Sequence, residues 1–159
     1  MMLRYLALIP LVNNIKDSFI DNVFKDKVKP VKGSIVYCDL YLGYAGHSGI
    51  YIGNDKIVHK NRMGVIEAVS PKDFIESTTA ISIYVSSYKG NASGSIVSAW
   101  RAESQIGIHD EYSFYRYNCH QFCSYCILGD MENFEISLIQ LKTNSKKYIN
   151  IDDWLVWDM

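Results

Sequence analysis

No apolar run in this sequence of 159 residues is long enough to cross a membrane as a helix. The longest, Tyr5 to Val12, is short and broken by Pro10. It also lacks the marks of a signal peptide. Arg4 makes only a weak n-region, and no small-x-small cleavage site follows. An N-terminal helix with an apolar side is the plainer expectation. A cytoplasmic location follows, with any membrane contact peripheral. Charge of one sign is lacking too. The net charge is −1, the basic residues are scattered, and Lys25-Asp26-Lys27-Val28-Lys29 is interrupted by an acid. Nucleic acid is therefore not an expected partner. Acidic residues show no pairing that suggests a two-carboxylate mechanism, and there is no glycine-rich phosphate loop. Without repeats, low-complexity segments or a linker, the length fits a single domain, 1–159.

Disulfide staples are also not expected. The four cysteines are Cys38, Cys119, Cys123 and Cys126, and the last three fall within eight residues. That spacing does not tie distant loops together, so free thiols in a reducing compartment fit better. Cys123 and Cys126 form a C-x-x-C pair, but no second pair follows, and this one lies on a predicted helix rather than a turn that wraps an ion. Packing, together with Phe122, Ile127 and Leu128, explains it more simply. No metal and no cofactor are expected.

What is present points to an α+β domain. Apolar residues make up 48% and charged residues 21%, as in globular proteins, and the twelve tyrosines suit a β-rich domain. Residues 11 to 27 carry apolar side chains at near-helical spacing, ended by Pro30. A strand-rich block follows over 34–38, 48–52, 56–60, 64–69 and 81–85, with Gly, Asn or Asp between the runs. Ser70-Pro71 reads as a helix start. A second helix is expected over 93–106, closed by Gly107, and a third from Asn118 to Leu128, closed by Gly129. Residues 134–141 alternate weakly, as another strand would. The tail 151–159, with Trp154 and Trp157, is expected to pack back onto the domain. Helix, then strands, then helices implies an antiparallel sheet.

Two segments could carry chemistry. Asn118 is a good N-cap, which places Cys119 in the first turn of its helix. Unpaired N–H groups and the helix dipole there lower a thiol's pKa and favour the reactive thiolate. From position alone, a cysteine that fills a buried gap is the better reading. The second segment, Gly46 to His59, reads as a β-hairpin turning at Gly53-Asn54-Asp55. A three-residue loop sets Gly49 opposite His59 and puts His47 and His59 on one face; a two-residue loop sends them to opposite faces. Gly49 then leaves room on that face, as an open site needs. His109 falls in a polar loop, and His120 points about 100° around the helix from Cys119.

Together these segments resemble the lecithin:retinol acyltransferase family of permuted papain-like thiol enzymes. The likeness rests on Gly46-His47-Ser48-Gly49-Ile50-Tyr51-Ile52-Gly53, Ile57-Val58-His59, Arg101-Ala102 through Ile106-Gly107, Tyr112, and Asn118-Cys119-His120-Gln121-Phe122. The order, two histidines before the cysteine, also agrees. Gly33-Ser34-Ile35 departs from the family's usual Gly-Asp-Leu. The resemblance implies a circularly permuted papain-like fold, its antiparallel sheet packed on the helix that presents the cysteine. It divides the chain into an N-terminal helical extension (1–30), a catalytic core (31–128) and a C-terminal packing segment (129–159). It also implies Cys119 as nucleophile, His47 as base and His59 as the second histidine. Tyr51 and Asn118, within the two motifs, are the substrate-binding candidates. The implied activity is acyl transfer or hydrolysis at an ester, thioester or amide bond through an acyl-thioester, on a lipid or peptide substrate. The rivals are a peptidase or amidase of the same fold and a binding module without a reactive thiol.

Overall fold

The structure is a computed structural model that describes residues 26–40, 45–76 and 78–159. Its strands are β1 (Lys27–Val28), β2 (Ile35–Leu40), β3 (Ala45–Gly53), β4 (Lys56–Lys60), β5 (Ile66–Val69), β6 (Tyr84–Tyr88), β7 (Asn91–Ala92) and β8 (Asp153–Trp157). The helices are α1 (Pro71–Glu76), α2 (Ile96–Ser104), α3 (Cys119–Leu128) and α4 (Leu138–Ser145). All eight strands join one sheet in the order β1-β8-β6-β2-β3-β4-β5, with β7 beside β6. The chain is therefore α+β, and every pairing is antiparallel except that of β1 with β8. None of the described helices is long and apolar enough to cross a membrane.

Strand β2 shows why this sheet is covered on both sides. Ile35 and Tyr37 point into one apolar cluster, Val36 and Cys38 into another, as alternation along a strand requires. The first cluster gathers Ile50, Val58 and Ile66 from the sheet, Ala102 from α2, Phe122, Cys123 and Cys126 from α3, and Leu141 from α4. The second joins Ile57, Val85 and Trp157 to Phe74 of α1. Ile35, Ile50 and Ile57 are fully buried, each contributing about 1.5–3 kcal/mol. Cys123 and Cys126 sit in the first cluster, which matches the packing reading of that pair.

Several expectations need correction. The helix expected over 11–27 lies almost wholly outside the described residues, as does the Tyr5 to Val12 stretch. Its last residue, Lys27, is in strand β1, paired with β8, so the helical extension does not reach residue 30. Residues 134–141 do not form a strand. Ser137 caps α4 instead, in a reciprocal capping box with Gln140, which satisfies two N–H groups that a strand start would leave to solvent. The tail does more than pack back: Asp153–Trp157 lies inside the sheet between β1 and β6, so the sheet draws on chain beyond 31–128.

Candidate active site

Helix α3 starts at a fully used cap. Asn118 Oδ1 accepts from the N–H groups of His120 (2.9 Å) and Gln121 (3.0 Å), and Gln121 Oε1 accepts from Asn118 N–H (3.3 Å). Asn118 Nδ2 donates to the Phe114 (3.0 Å) and Ile136 (2.8 Å) carbonyls. An amide side chain has two donor hydrogens and two acceptor lone pairs, and all four are engaged. Asn118 thus acts as a structural cap whose side-chain hydrogen bonds are all made within the protein. Its cap leaves the Cys119 N–H out. At the other end Gly129 closes the helix with φ 79°, and Arg101 Nη1 donates to the Cys126 and Ile127 carbonyls. That gives Arg101 of the sequence motif its physical role, a cation on the last carbonyls of α3.

The hairpin reaches the expected register by a different route. Gly53 pairs with Lys56, leaving a two-residue turn in which Asn54 and Asp55 both have φ 51°, as a type I′ turn needs. Between Tyr51 and Gly53 the register shifts, and Tyr51 pairs with Ile57 and Ile50 with Val58. The bulge at Ile52 restores the parity that the short turn alone would have reversed. His47 and His59 consequently share a face, and His47 Nε2 hydrogen-bonds His59 Nδ1 at 2.7 Å. The space beside Gly49 is not open: Phe74 fills it. A Cβ on Gly49 would come within 3.2 Å of Phe74 Cε2 and 2.5 Å of Ile57 Cγ2. Phe74 also stacks on His47 (4.8 Å between centroids) and meets His59 edge-on (5.5 Å).

The thiol sits one residue along β3 from His47. Ser48, facing α3, bonds His120 Nδ1 through its hydroxyl at 2.9 Å. Its backbone and hydroxyl, the backbone of Cys119 itself and the Tyr112 hydroxyl are the hydrogen-bond neighbours of the Cys119 thiol. The thiol's partners are therefore Ser48 and Tyr112 rather than His47. Burial pushes the Cys119 thiol up, against the pull of Ser48 and Tyr112, so the helix-start effect does not dominate. His47 is held down to about 3 by burial and by His59 and His120 nearby. Burial also lowers His59 to about 4, against the upward pull of Glu67, and lowers His120 to about 4. Thiol and imidazoles are thus all neutral at pH 7, and no thiolate–imidazolium pair stands preformed.

Cys119 is 3% exposed yet lines a cavity of about 350 Å³ with His120, Asn118 and Tyr112. His47 and His59 line an adjoining cavity of about 340 Å³ with Arg62 and Glu67. Leu40, Tyr112 and Phe114 belong to both walls. Tyr51 lines neither: its ring packs edge-on against Trp157 and its hydroxyl accepts from Asp55 N–H (3.4 Å), a packing role. Ser48, Tyr112 and His120 belong to the sequence likeness but have no site role assigned there, and Glu67 is outside it. Glu67 was reachable from strand pairing, since β5 sets it opposite His59. Tyr112 arrives through an irregular loop whose path no periodicity encodes. Among the described residues no cluster of His, Cys, Asp and Glu forms a metal site. No protein-family model matches the chain, and no curated protein does either.

Proposed function

We propose that the protein is a thiol enzyme that cleaves or transfers an acyl group, with Cys119 as nucleophile, His47 as base and His59 as the residue that orients His47. The observation that carries this reading is the 2.7 Å His47–His59 bond, taken with a cysteine at a helix start whose thiol has Ser48, the residue after His47 in β3, as a hydrogen-bond neighbour. A base oriented by a third group is the logic shared by hydrolytic triads. The α+β fold is compatible with this reading, and the residue order, two histidines before the cysteine, is the one the permuted papain-like enzymes have.

The neutral resting groups favour general-base catalysis over a standing ion pair. His47 Nδ1, left over by the bond through Nε2, takes the Cys119 proton as the sulfur attacks the substrate carbonyl. Hydrogen bonds in a resting site are commonly long and tighten around substrate, so the thiol's resting partners, Ser48 and Tyr112, are compatible with that transfer. The Cys119 N–H, outside the Asn118 cap, lies against its own sulfur and is the donor proposed for the oxyanion. His47 then protonates the leaving oxygen, sulfur or nitrogen, and an acyl-thioester remains on Cys119. Water, an alcohol or an amine resolves it. Leu40, Phe114, Ile136 and Leu138 line the cavity beside the sulfur, a wall suited to an acyl chain or an apolar side chain.

Intact mass spectrometry after incubation with acyl-ester, acyl-thioester and peptide panels tests the proposal. A mass gain at Cys119 that disappears in Cys119→Ala, together with turnover, is the expected result. Turnover that persists in Cys119→Ala would overturn it.

A further inference from the structure

His59 has a second nitrogen that the catalytic reading does not use. Nε2 is one of two buried side-chain polar atoms among the described residues that make no hydrogen bond, the other being Ser82 Oγ. A hydroxyl can rotate to suit its surroundings, but an imidazole nitrogen inside a packed sheet cannot. Directly opposite His59 on β5 is Glu67, whose Oε1 lies 3.5 Å from that nitrogen. The carboxylate is itself held: Asn61 Nδ2 donates to the same Oε1 at 2.7 Å. Asn61 is fixed in turn, its Oδ1 accepting from Met63 N–H (2.9 Å) and Val65 N–H (3.1 Å) in the β4–β5 turn.

We propose that Glu67, braced by Asn61, is a positioning residue that sets the proton positions along the pair His59–His47. The inference rests on the assignment of His47 as the base for Cys119. A neutral imidazole carries one N–H and one bare lone pair. If His59 were protonated on Nδ1, its bare Nε2 would face a carboxylate, lone pair against negative charge. His47 would then accept at Nε2, carry its proton on Nδ1, and have no lone pair for the thiol. With the proton on Nε2, His59 faces Glu67 attractively and its Nδ1 accepts from His47 Nε2–H. His47 Nδ1 is then bare and basic. One carboxylate two residues removed from the sulfur thus decides whether the site contains a base at all. Arg62 and Asp73 line the same cavity, but the contact to His59 Nε2 comes from Glu67.

Nitrogen-15 NMR of the imidazoles in the full chain at neutral pH reads the tautomers directly. The expected wild-type result is protonation of Nε2 in both His59 and His47. Glu67→Ala is expected to move His59 to the Nδ1–H form and slow acylation of Cys119 by about tenfold, the scale typical of lost outer-shell orientation. Glu67→Gln, which keeps an acceptor oxygen, should retain the wild-type tautomers. Protonation of His59 on Nδ1 in the wild type overturns the proposal, whether or not the variants fold. So does a Glu67→Ala protein with unchanged tautomers. Tautomers as expected in a protein whose Cys119 never acylates would overturn the enzymatic reading and leave the role of Glu67 standing.

Discussion

The Ser48 hydroxyl stands 2.9 Å from Nδ1 of His120 and ties the strand that carries His47 to the helix that carries Cys119. Both residues are buried, Ser48 fully. Ser48→Ala would leave His120 Nδ1 without its partner. The expected cost is about 1–3 kcal/mol, the penalty for stranding a buried polar group. Urea denaturation measures it, and an unchanged midpoint would mean the bond contributes nothing.

Tyr112 pulls the Cys119 thiol down by hydrogen bonding, while burial, the larger effect, pushes it up. A hydroxyl that donates to sulfur stabilises the thiolate more than the thiol. Tyr112→Phe removes that donor, so the thiol should titrate at still higher pH. Wherever the thiol is mostly protonated, raising its pKa by about one thins the thiolate, and with it iodoacetamide alkylation of Cys119, about tenfold. The pH-dependence of alkylation, followed by mass spectrometry at Cys119, gives the result; a faster-reacting variant would contradict the geometry.

Acid should weaken the fold before its carboxylates titrate. His47 is held at about 3 and His59 and His120 at about 4, whereas an unfolded chain binds these protons near 6.5. Between those values the unfolded state carries more protons, so stability is full above about pH 6.5 and falls as pH drops toward 4. Each histidine adds a slope of up to ~1.4 kcal/mol per pH unit. Urea midpoints taken from about pH 7 to about pH 4.5 should decline steadily, and a flat series would show that the imidazoles are not buried neutral.

Local signals were legible wherever a cap or a turn residue announces itself. Ser70-Pro71 marks α1, Asn118 and Gly129 bracket α3, and Lys56–Lys60 is a strand over the expected residues. The signal for α4 was present as well, in the Ser137–Gln140 capping box, but the apolar alternation of Phe134, Ile136 and Leu138 masked it. The two histidines could be placed on one face, yet the bulge at Ile52 that puts them there depends on backbone torsions that no residue count reveals. The thiol's ionisation was not legible because a helix start is a local property, whereas burial, the larger effect, is set by how the rest of the fold packs over that helix start. The neighbours of Asn118 are hidden for the same reason: its amide reaches the carbonyl of Ile136, 18 residues further on, a contact that no local pattern encodes.

Strand β8 lies between β1 and β6, although most of the strands it joins come much earlier in the chain. During synthesis the histidine hairpin and the cysteine helix therefore leave the ribosome while one side of β6 still waits for its neighbour. The site can assemble in outline, but the sheet behind it closes only when Asp153–Trp157 arrives, and until then β6 offers an unpaired edge to other nascent chains.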